Sequence, residues 1–356
     1  MFVAGCNYNR LLHRNLYGVT LETLSHMQSP KARICAEKCY NRTNESKGKT
    51  MQPNVSLWQI VRGTVRTMRP HQWIKNVFIF GALAFSEEHL WRDTGSILTV
   101  IAGFFIFCAA ASSIYLLNDV VDVDKDRAHP RKRHRPIAAG IVPIPLAQFM
   151  AFVMLVVALV GAWLVDGDLD FMWIILTYLV VQGVLYSYIL KNIVILDIFT
   201  IAAGFVLRAI AGALVLDIGI TPWLLLCMGL LAIFLGLGKR RAELVLLTDG
   251  AATHRKILQE YSIEMIDQML SIVTAATIIA YTLFTFTSRT MPLEPYPVMM
   301  VTVPIVIYAI FRYLYLIHRQ SGGGSPEELV LKDIPLAVSI LTWGLTVLVL
   351  LIRFRP

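Results

Sequence analysis

The stretch of the sequence with the clearest chemistry is "NDVVDVDKDRAHPRKRHRP", residues 118–136, in which four aspartates precede closely spaced arginines and lysines. Asp119, Asp122 and Asp126 are three and four residues apart, so they share one face if the preceding apolar helix continues this far. Three carboxylates on one face repel each other, and a divalent cation removes that repulsion. Mg²⁺ suits such hard oxygen ligands, and substrate phosphates often complete its coordination. The predicted metal ligands are Asn118, Asp119, Asp122 and Asp126.

The basic half of the same stretch indicates an anionic substrate. Arg131, Lys132 and Arg135 can neutralise phosphate oxygens that bridge to the metal. Acids for a metal and bases for phosphate together predict a diphosphate site. The alternative is a solvated acidic loop that only offsets its basic neighbours, and the helical register and the adjoining apolar helix argue against it.

The composition places this site in a membrane protein. Of the 356 residues, 56% are hydrophobic and 16% are charged, whereas soluble domains contain about 45–50% apolar residues. A helical span needs about 20 mostly apolar residues, and the long apolar runs without period-two alternation favour helices over a barrel. We predict an all-α polytopic bundle with about nine spans. They are 74–86, 95–117, 143–165, 169–190, 193–216, 221–238, 263–287, 297–317 and 334–352.

The distribution of Lys and Arg predicts the orientation of the bundle. Eighteen of these residues lie in connections on the side that holds residues 118–136, against four on the other side. The chain is therefore expected in the cell membrane with its site facing the cytoplasm. The net charge of +8 also attracts anions. Nucleic acid is not an expected partner, since no basic stretch is interleaved with aromatic residues on a soluble module.

Residues 1–67 differ from the rest, because they are polar, mixed in charge and without an apolar span. We expect a poorly ordered tail there, followed by a transmembrane catalytic domain over residues 68–356. Met51 and Met68 both precede the first membrane-directed stretch, so either is a candidate for the natural start.

The acidic stretch resembles a known family. "NDVVDVDKD" fits the N-D-x-x-D-x-x-x-D motif of the UbiA superfamily of intramembrane prenyltransferases, and the resemblance extends from residue 68 to the C-terminus. It implies nine helices and a motif that binds a Mg²⁺-diphosphate leaving group. UbiA-type aromatic prenyltransferases carry a second acidic motif after the sixth helix. Here that loop reads "GLGKRRAELVLL" (236–247), with one acid, Glu243, beside three cations, and it suits a phosphate better than a second Mg²⁺.

That departure makes the chain resemble the decaprenyl-phosphate phosphoribosyltransferase branch, as do "RPHQWIKN" (69–76), "HPRKRHRPIAAG" (129–140), "LRAIAGA" (207–213) and "SPEELVLKD" (325–333). The resemblance implies transfer of 5-phosphoribose from phosphoribosyl diphosphate to a polyprenyl phosphate, for arabinose-donor and cell-wall glycan synthesis. Mg²⁺ and fixed cations that bind the leaving diphosphate more tightly as the C1 bond breaks would lower the barrier.

Other polar residues lie inside spans or at their cytoplasmic ends. Lys191, near Tyr186 at the end of the fourth span, is either a substrate ligand or an anchor that reaches the membrane surface. Asp197 and Arg208 lie inside the fifth span, where ionisable groups usually face a bundle interior or a cavity. They are about three turns apart and share a face. We predict Asp197 near the ribose hydroxyls or the metal and Arg208 on a phosphate; a structural pair is the alternative.

These considerations complete the candidate site. The predicted catalytic residues are Asp119, Asp122, Lys191 and Asp197. The predicted substrate ligands are Arg131, Lys132, Arg135, Tyr186, Arg208, Lys239, Arg240 and Glu243.

Two other functions compete with this hypothesis. One is prenyl transfer from a polyprenyl diphosphate to an aromatic acceptor, against which the basic loop at 239–241 argues. The other is a transporter or channel, whose expected signature is an internal repeat with broken helices. No clear repeat is present, and the charges gather at one membrane face. A homo-oligomer is compatible with either enzyme.

Overall fold

The protein is an all-α polytopic membrane bundle, as predicted. A computed structural model describes residues 55–85, 90–130, 132–219, 221–248, 256–287, 294, 296–319, 329–330 and 332–354, and every regular element within them is helical. The helices are α1 (Leu57–Thr67), α2 (Phe80–Phe85), α3 (Thr94–Val121), α4 (Val123–Ala128), α5 (Ile144–Val165), α6 (Asp170–Tyr188), α7 (Leu196–Leu214), α8 (Pro222–Thr248), α9 (Ile263–Thr287), α10 (Val303–Arg319) and α11 (Ile334–Phe354).

Eight helices in the described ranges are long and apolar enough to cross a membrane, namely α3 and α5 to α11. The outer helices carry large apolar side chains on their exposed faces, such as Phe149, Phe152 and Leu164 on α5. A lipid environment removes the cost of exposing these groups. More than half of the apolar window of α3 and of α7 is buried, so these two helices form the centre of the bundle.

Helix α7 belongs to both large apolar cores. Its C-terminal half contributes Ala211 to a core with Phe107 of α3 and Phe171 of α6. Its N-terminal half contributes Ile198 to a core with Phe234 of α8 and with residues of α9 and α10. Because successive spans alternate in direction, the C-terminal ends of α3, α6 and α8 and the N-terminal ends of α7 and α9 lie at one end of the bundle. We call it the polar end.

Helix α3 is longer than its predicted span of 95–117. It begins at the N-cap Asp93, whose side chain accepts a hydrogen bond from the Ser96 amide at 2.7 Å. Its 28 residues extend about 42 Å, whereas the hydrocarbon core is about 30 Å thick. The helix is therefore longer than the apolar layer, and its last turn carries Asn118 and Asp119 at the polar end.

The first predicted span, 74–86, takes a different form. Residues Pro70–Ile79 form a 3-10 helix that continues into α2. This stretch packs inside the bundle, where the Asn76 side chain donates to Cys108 Sγ at 3.1 Å. A Cβ at Gly212 of α7 would collide with the Ile79 carbonyl, so glycine is required for this close approach.

The tail expected from the sequence reached residue 67, but Leu57–Thr67 form helix α1. Leu57, Trp58, Val61 and Val65 are exposed on it. They lie mainly on one face, as in amphipathic helices at a membrane surface. Residues 1–54 lie outside the described residues, so the tail itself stays a prediction.

Candidate active site

The acidic stretch forms a nearly continuous helical path at the polar end. Helix α3 ends at Val121, and Asp122 leads directly into α4. The Asp126 amide donates to the Asp122 carbonyl at 2.8 Å, which keeps helical spacing across the break. As the spacing predicted, this brings Asp119 and Asp126 together, and both are buried. Asp122 does not join them, since its side chain is 35% exposed and pairs with Lys125 at 3.5 Å.

Two arginines neutralise the buried carboxylates. Arg135 Nη1 lies 3.0 Å from Asp119 Oδ1 and 2.7 Å from Asp126 Oδ2. Arg69 Nη2 lies 2.6 Å from the same Asp119 oxygen, and its guanidinium stands over the Tyr115 ring at 4.9 Å. These four charged residues, Arg69, Asp119, Asp126 and Arg135, are called the acidic–arginine cluster. Arg69 brings the chain just before Pro70 into the site.

The donor set fits a magnesium ion that shares its ligands with a substrate. A cationic nitrogen of Arg135 already lies within hydrogen-bonding distance of two carboxylate oxygens, which shows that Asp119 and Asp126 can surround one positive charge. Three or more such ligands do not converge anywhere in the described ranges. Mg²⁺ commonly uses one or two carboxylates and takes its other ligands from water and phosphate. The other two predicted ligands, Asn118 and Asp122, lie at the end of α3 beside Asp119, and Asp122 pairs with Lys125.

The predicted phosphate ligands near this cluster differ in their placement. Arg135 is half-buried and joins both carboxylates, whereas Lys132 is exposed. Arg131 lies outside the described residues. The fixed positive charge of the acidic–arginine cluster therefore comes from Arg69 and Arg135.

A second group of polar residues, called the Asp197 cluster, joins the starts of α7 and α9 to the end of α8. It consists of Asp197, Arg240, Glu243 and Tyr261. Arg240 Nε donates to Asp197 Oδ2 at 2.7 Å, and Arg240 Nη1 donates to Glu243 Oε2. The Tyr261 hydroxyl donates to Asp197 Oδ1 at 2.9 Å.

The members of the Asp197 cluster differ in their exposure to solvent. Asp197 is 0% exposed and Arg240 is 1% exposed, and each carboxylate oxygen of Asp197 accepts a hydrogen bond from the protein. Asp197 therefore holds Arg240 and Tyr261, and its predicted place beside the ribose or the metal stays a prediction. The Glu243 side chain is 26% exposed and is the member open to solvent.

The remaining predicted cations around this cluster are more accessible. Lys239 and Lys191 are half-buried, and Tyr186 lies close enough to Arg240 to interact with it electrostatically. Arg241 turns away toward Asp267 of α9, with Nε and Oδ1 2.6 Å apart. Within the basic run at 239–241, Arg240 therefore pairs with α7, whereas Arg241 pairs with α9.

Arg208 lies deeper in the bundle and does not pair with Asp197. Eleven residues of helix separate them by about 16 Å, so a shared face does not bring them into contact. Arg208 donates to the Asn76 side chain, the Gly204 carbonyl and the Tyr178 hydroxyl at 2.7, 2.6 and 2.9 Å. These acceptors are neutral, and no carboxylate among the described residues pairs with this guanidinium. Its guanidinium carbon also lies 4.8 Å from the centre of the Tyr178 ring, 5.4 Å from that of Phe107 and 5.6 Å from that of Phe205. Neutral and aromatic groups therefore surround this buried charge, and its predicted role on a phosphate stays a prediction.

Several residues of the site carried no distinctive signal in the sequence. Asn76, Tyr178 and Tyr261 are neutral side chains whose partners lie 30 or more residues away in the chain. Arg69 had only its place before Pro70, at the boundary between polar and apolar sequence. The other charged members of both clusters were indicated, because charged residues are rare in and beside the apolar spans.

Comparison with known sequences identifies relatives over most of the chain. Residues 76–327 match the model of the UbiA prenyltransferase family. The chain is 36% identical over 293 residues to the decaprenyl-phosphate phosphoribosyltransferase of Mycolicibacterium smegmatis, which covers 80% of this chain and 91% of that protein. The protein of the same name from Corynebacterium glutamicum is 32% identical over 282 residues, with 79% and 84% covered.

Solved structures share the fold at low sequence identity. A UbiA homolog from Archaeoglobus fulgidus, bound to DMAPP and Mg²⁺, has a TM-score of 0.60 and 16% identity, covering 82% of this chain and 99% of that one. A digeranylgeranylglyceryl phosphate synthase has a TM-score of 0.54 and 13% identity, with 82% and 95% covered.

Proposed function

Because this chain belongs to the UbiA prenyltransferase family, we propose that it transfers a 5-phosphoribosyl group from phosphoribosyl diphosphate to a polyprenyl phosphate of the decaprenyl type. The chain is a membrane-embedded transferase. The proposed substrates are supported by the 32–36% identity, over about four fifths of the chain, to proteins named decaprenyl-phosphate phosphoribosyltransferase. The reaction takes place at the cytoplasmic face of the cell membrane and serves arabinose-donor and cell-wall glycan synthesis.

The charged residues at the polar end are proposed to bind three anionic groups of the two substrates. The donor carries a diphosphate on C1 and a phosphate on C5, and the acceptor carries a third phosphate. The acidic–arginine cluster suits the diphosphate, with Asp119 and Asp126 as the carboxylates that would hold Mg²⁺. When bound, Mg²⁺ neutralises the negative charge that develops on the leaving diphosphate. Arg69 and Arg135 add fixed positive charge at the same place.

The cations around the Asp197 cluster are proposed to bind the other phosphates. Lys191 and Lys239 are half-buried at the polar end and supply the positive charge. Arg240 is neutralised by Asp197 and Glu243, and it holds Glu243 in place beside them. Glu243 accepts hydrogen bonds from the ribose hydroxyls. The buried charge of Arg208 attracts the substrates from within the bundle.

The proposed reaction breaks one bond and forms one. An oxygen of the lipid phosphate forms a bond to C1 of the ribose while the bond from C1 to the diphosphate oxygen breaks. The diphosphate leaves with the electron pair. The acceptor oxygen is already anionic, so no general base is required. The protein contributes orientation of the two substrates and stabilisation of the leaving group.

The test uses the full-length protein in detergent with Mg²⁺, a polyprenyl phosphate and phosphoribosyl diphosphate labelled in the ribose. Label entering the lipid phase is the expected result. An absence of ribose transfer, together with activity on a prenyl diphosphate and an aromatic acceptor, would establish the alternative prenyl transfer and overturn the proposal.

A matched pair of variants tests the site. Asp119→Asn should lower transfer by about a hundredfold or more, because a carboxylate that stabilises leaving-group charge is lost. Asp124→Asn should have little effect, since this side chain is 89% exposed and pairs with Arg127 at the surface. Equal losses in the two variants would contradict the assignment of the diphosphate site.

A further inference from the structure

The chain has a strained turn just before Asp197. Ile195 has φ 69° and ψ −45°, and the Leu196 amide donates to the Val194 carbonyl at 2.8 Å. This is a γ-turn with positive φ, a rare and strained form, at a β-branched residue for which positive φ is a genuine outlier. Such strain persists only where surrounding contacts hold it, and it concentrates at functional sites.

One hydroxyl group holds both sides of this turn. Tyr261 Oη accepts a hydrogen bond from the Ile195 amide at 2.6 Å and donates one to Asp197 Oδ1 at 2.9 Å. Tyr261 lies 66 residues from Ile195 in sequence, just before α9, and is almost fully buried. A single side chain therefore fixes the strained backbone and the carboxylate that follows it.

The contacts continue from Asp197 to the solvent-facing part of the site. Asp197 Oδ2 accepts from Arg240 Nε, and Arg240 in turn holds Glu243. We infer that Tyr261 is a positioning residue, which keeps the strained turn at Ile195 closed and thereby sets the places of Arg240 and Glu243 in the substrate site. This inference rests on the proposed function, in which those two residues serve the substrates.

The electrostatics agree with this role. Burial, together with the nearby Asp197 carboxylate, raises the pKa of Tyr261 to about 12. The hydroxyl group therefore keeps its proton over the whole physiological pH range, and it can donate to Asp197 and accept from Ile195 at the same time.

The first test compares two Tyr→Phe variants. Tyr261→Phe removes the hydroxyl group that bonds Ile195 and Asp197. Tyr281→Phe is the matched control, since the Tyr281 hydroxyl is also buried between two partners, Thr302 and Trp343. Tyr261→Phe should lower kcat for ribose transfer by about ten- to a hundredfold, because small displacements of positioning groups have effects of this size. Tyr281→Phe should retain ribose transfer, and its thermal stability should be comparable to that of Tyr261→Phe.

The second measurement does not depend on activity. Amide hydrogen exchange in the segment 190–200 should become faster in Tyr261→Phe, because the Ile195 amide loses its acceptor, and should be unchanged in Tyr281→Phe. A loss of transfer without faster exchange would mean that Tyr261 acts directly on substrate, and it would overturn the inference. Unchanged transfer in Tyr261→Phe would overturn it as well.

A rescue variant tests the strain itself. Glycine adopts positive φ without steric cost. Adding Ile195→Gly to Tyr261→Phe should therefore restore part of the transfer that the single variant Tyr261→Phe loses. No restoration would contradict the role of the strained turn. If the unmodified protein transfers no ribose, the proposed function fails, while the exchange measurement still determines whether Tyr261 holds the turn.

Discussion

At the scale of single residues, the ion pair between Asp197 and Arg240 is the most deeply buried one in the described part of the chain. Both side chains are removed from solvent, so each lost its hydration on folding. Removing one partner of such a pair leaves a buried charge uncompensated, which costs more than the pair itself contributes to stability. The pair therefore constrains which substitutions the site tolerates.

A stability experiment can separate this effect from catalysis. Arg240→Met should destabilise the protein by about 3–5 kcal/mol, because the Asp197 carboxylate remains buried without its cation. Combining it with Asp197→Asn should recover much of the loss, although transfer should stay low. Thermal unfolding in detergent provides the measurement, with Lys239→Met as the neighbouring control. A double variant no more stable than Arg240→Met alone would contradict this account.

The sequence predicted the charged residues of the site better than their partners. Asp197 and Arg208 were expected on one face, and helical geometry supports that much. Which neighbouring helix approaches each residue depends on tertiary packing, and Arg240 lies 43 residues beyond Asp197. A strained turn at Ile195 was also beyond prediction, since isoleucine has no preference for positive φ.

At the scale of elements, apolar run length located the helices that lie wholly in the membrane. It failed where a helix leaves the membrane or breaks inside it. Helix α3 continues past its apolar run because its last turns bind Arg69 and Arg135 through Asp119. In α1, the apolar positions recur at helical spacing, but the polar composition around them concealed this pattern.

The side chain of Asp333 caps the N-terminus of helix α11, and its contribution to stability can be tested. Asp333 Oδ1 accepts from the Leu336 amide at 2.9 Å, and the carboxylate also pairs with Arg312 of α10. Loss of a capping side chain costs about 1 kcal/mol. Asp333→Ala should therefore be less stable than Asp333→Asn, which keeps an acceptor for the cap. An equal loss in the two variants would mean that capping contributes nothing here.

The same carboxylate gives this stability a pH dependence. Hydrogen bonds from Arg312, followed by the one from the Leu336 amide, lower the pKa of Asp333. The folded state therefore binds the Asp333 proton more weakly than the unfolded chain does. Its stabilising contribution is complete above the unfolded-state value of about 3.9 and is lost as the pH falls through the lower folded-state value. The stability difference between the unmodified protein and Asp333→Asn should shrink over that range in thermal unfolding experiments.

At the scale of the whole molecule, both charged clusters lie at one end of the bundle. The residues come from five separate parts of the chain (69, 119–135, 197, 240–243 and 261), which meet because successive spans reverse direction. Two apolar cores joined through α7 hold these spans together. The excess of Lys and Arg in the same connections favours retention of this end in the cytoplasm during insertion, where a water-soluble sugar diphosphate is accessible.

Labelling from opposite sides of the membrane tests this orientation. In a background without native cysteines, Lys132→Cys places a thiol in an exposed position between α4 and α5, and Asp168→Cys does so in the next connection, between α5 and α6. Because α5 crosses the membrane between them, the two positions must lie on opposite sides. In intact cells, a membrane-impermeant maleimide should label Asp168→Cys, whereas Lys132→Cys should react only after the membrane is opened. The reverse pattern would place the charged end outside the cell and would contradict a site supplied from the cytoplasm.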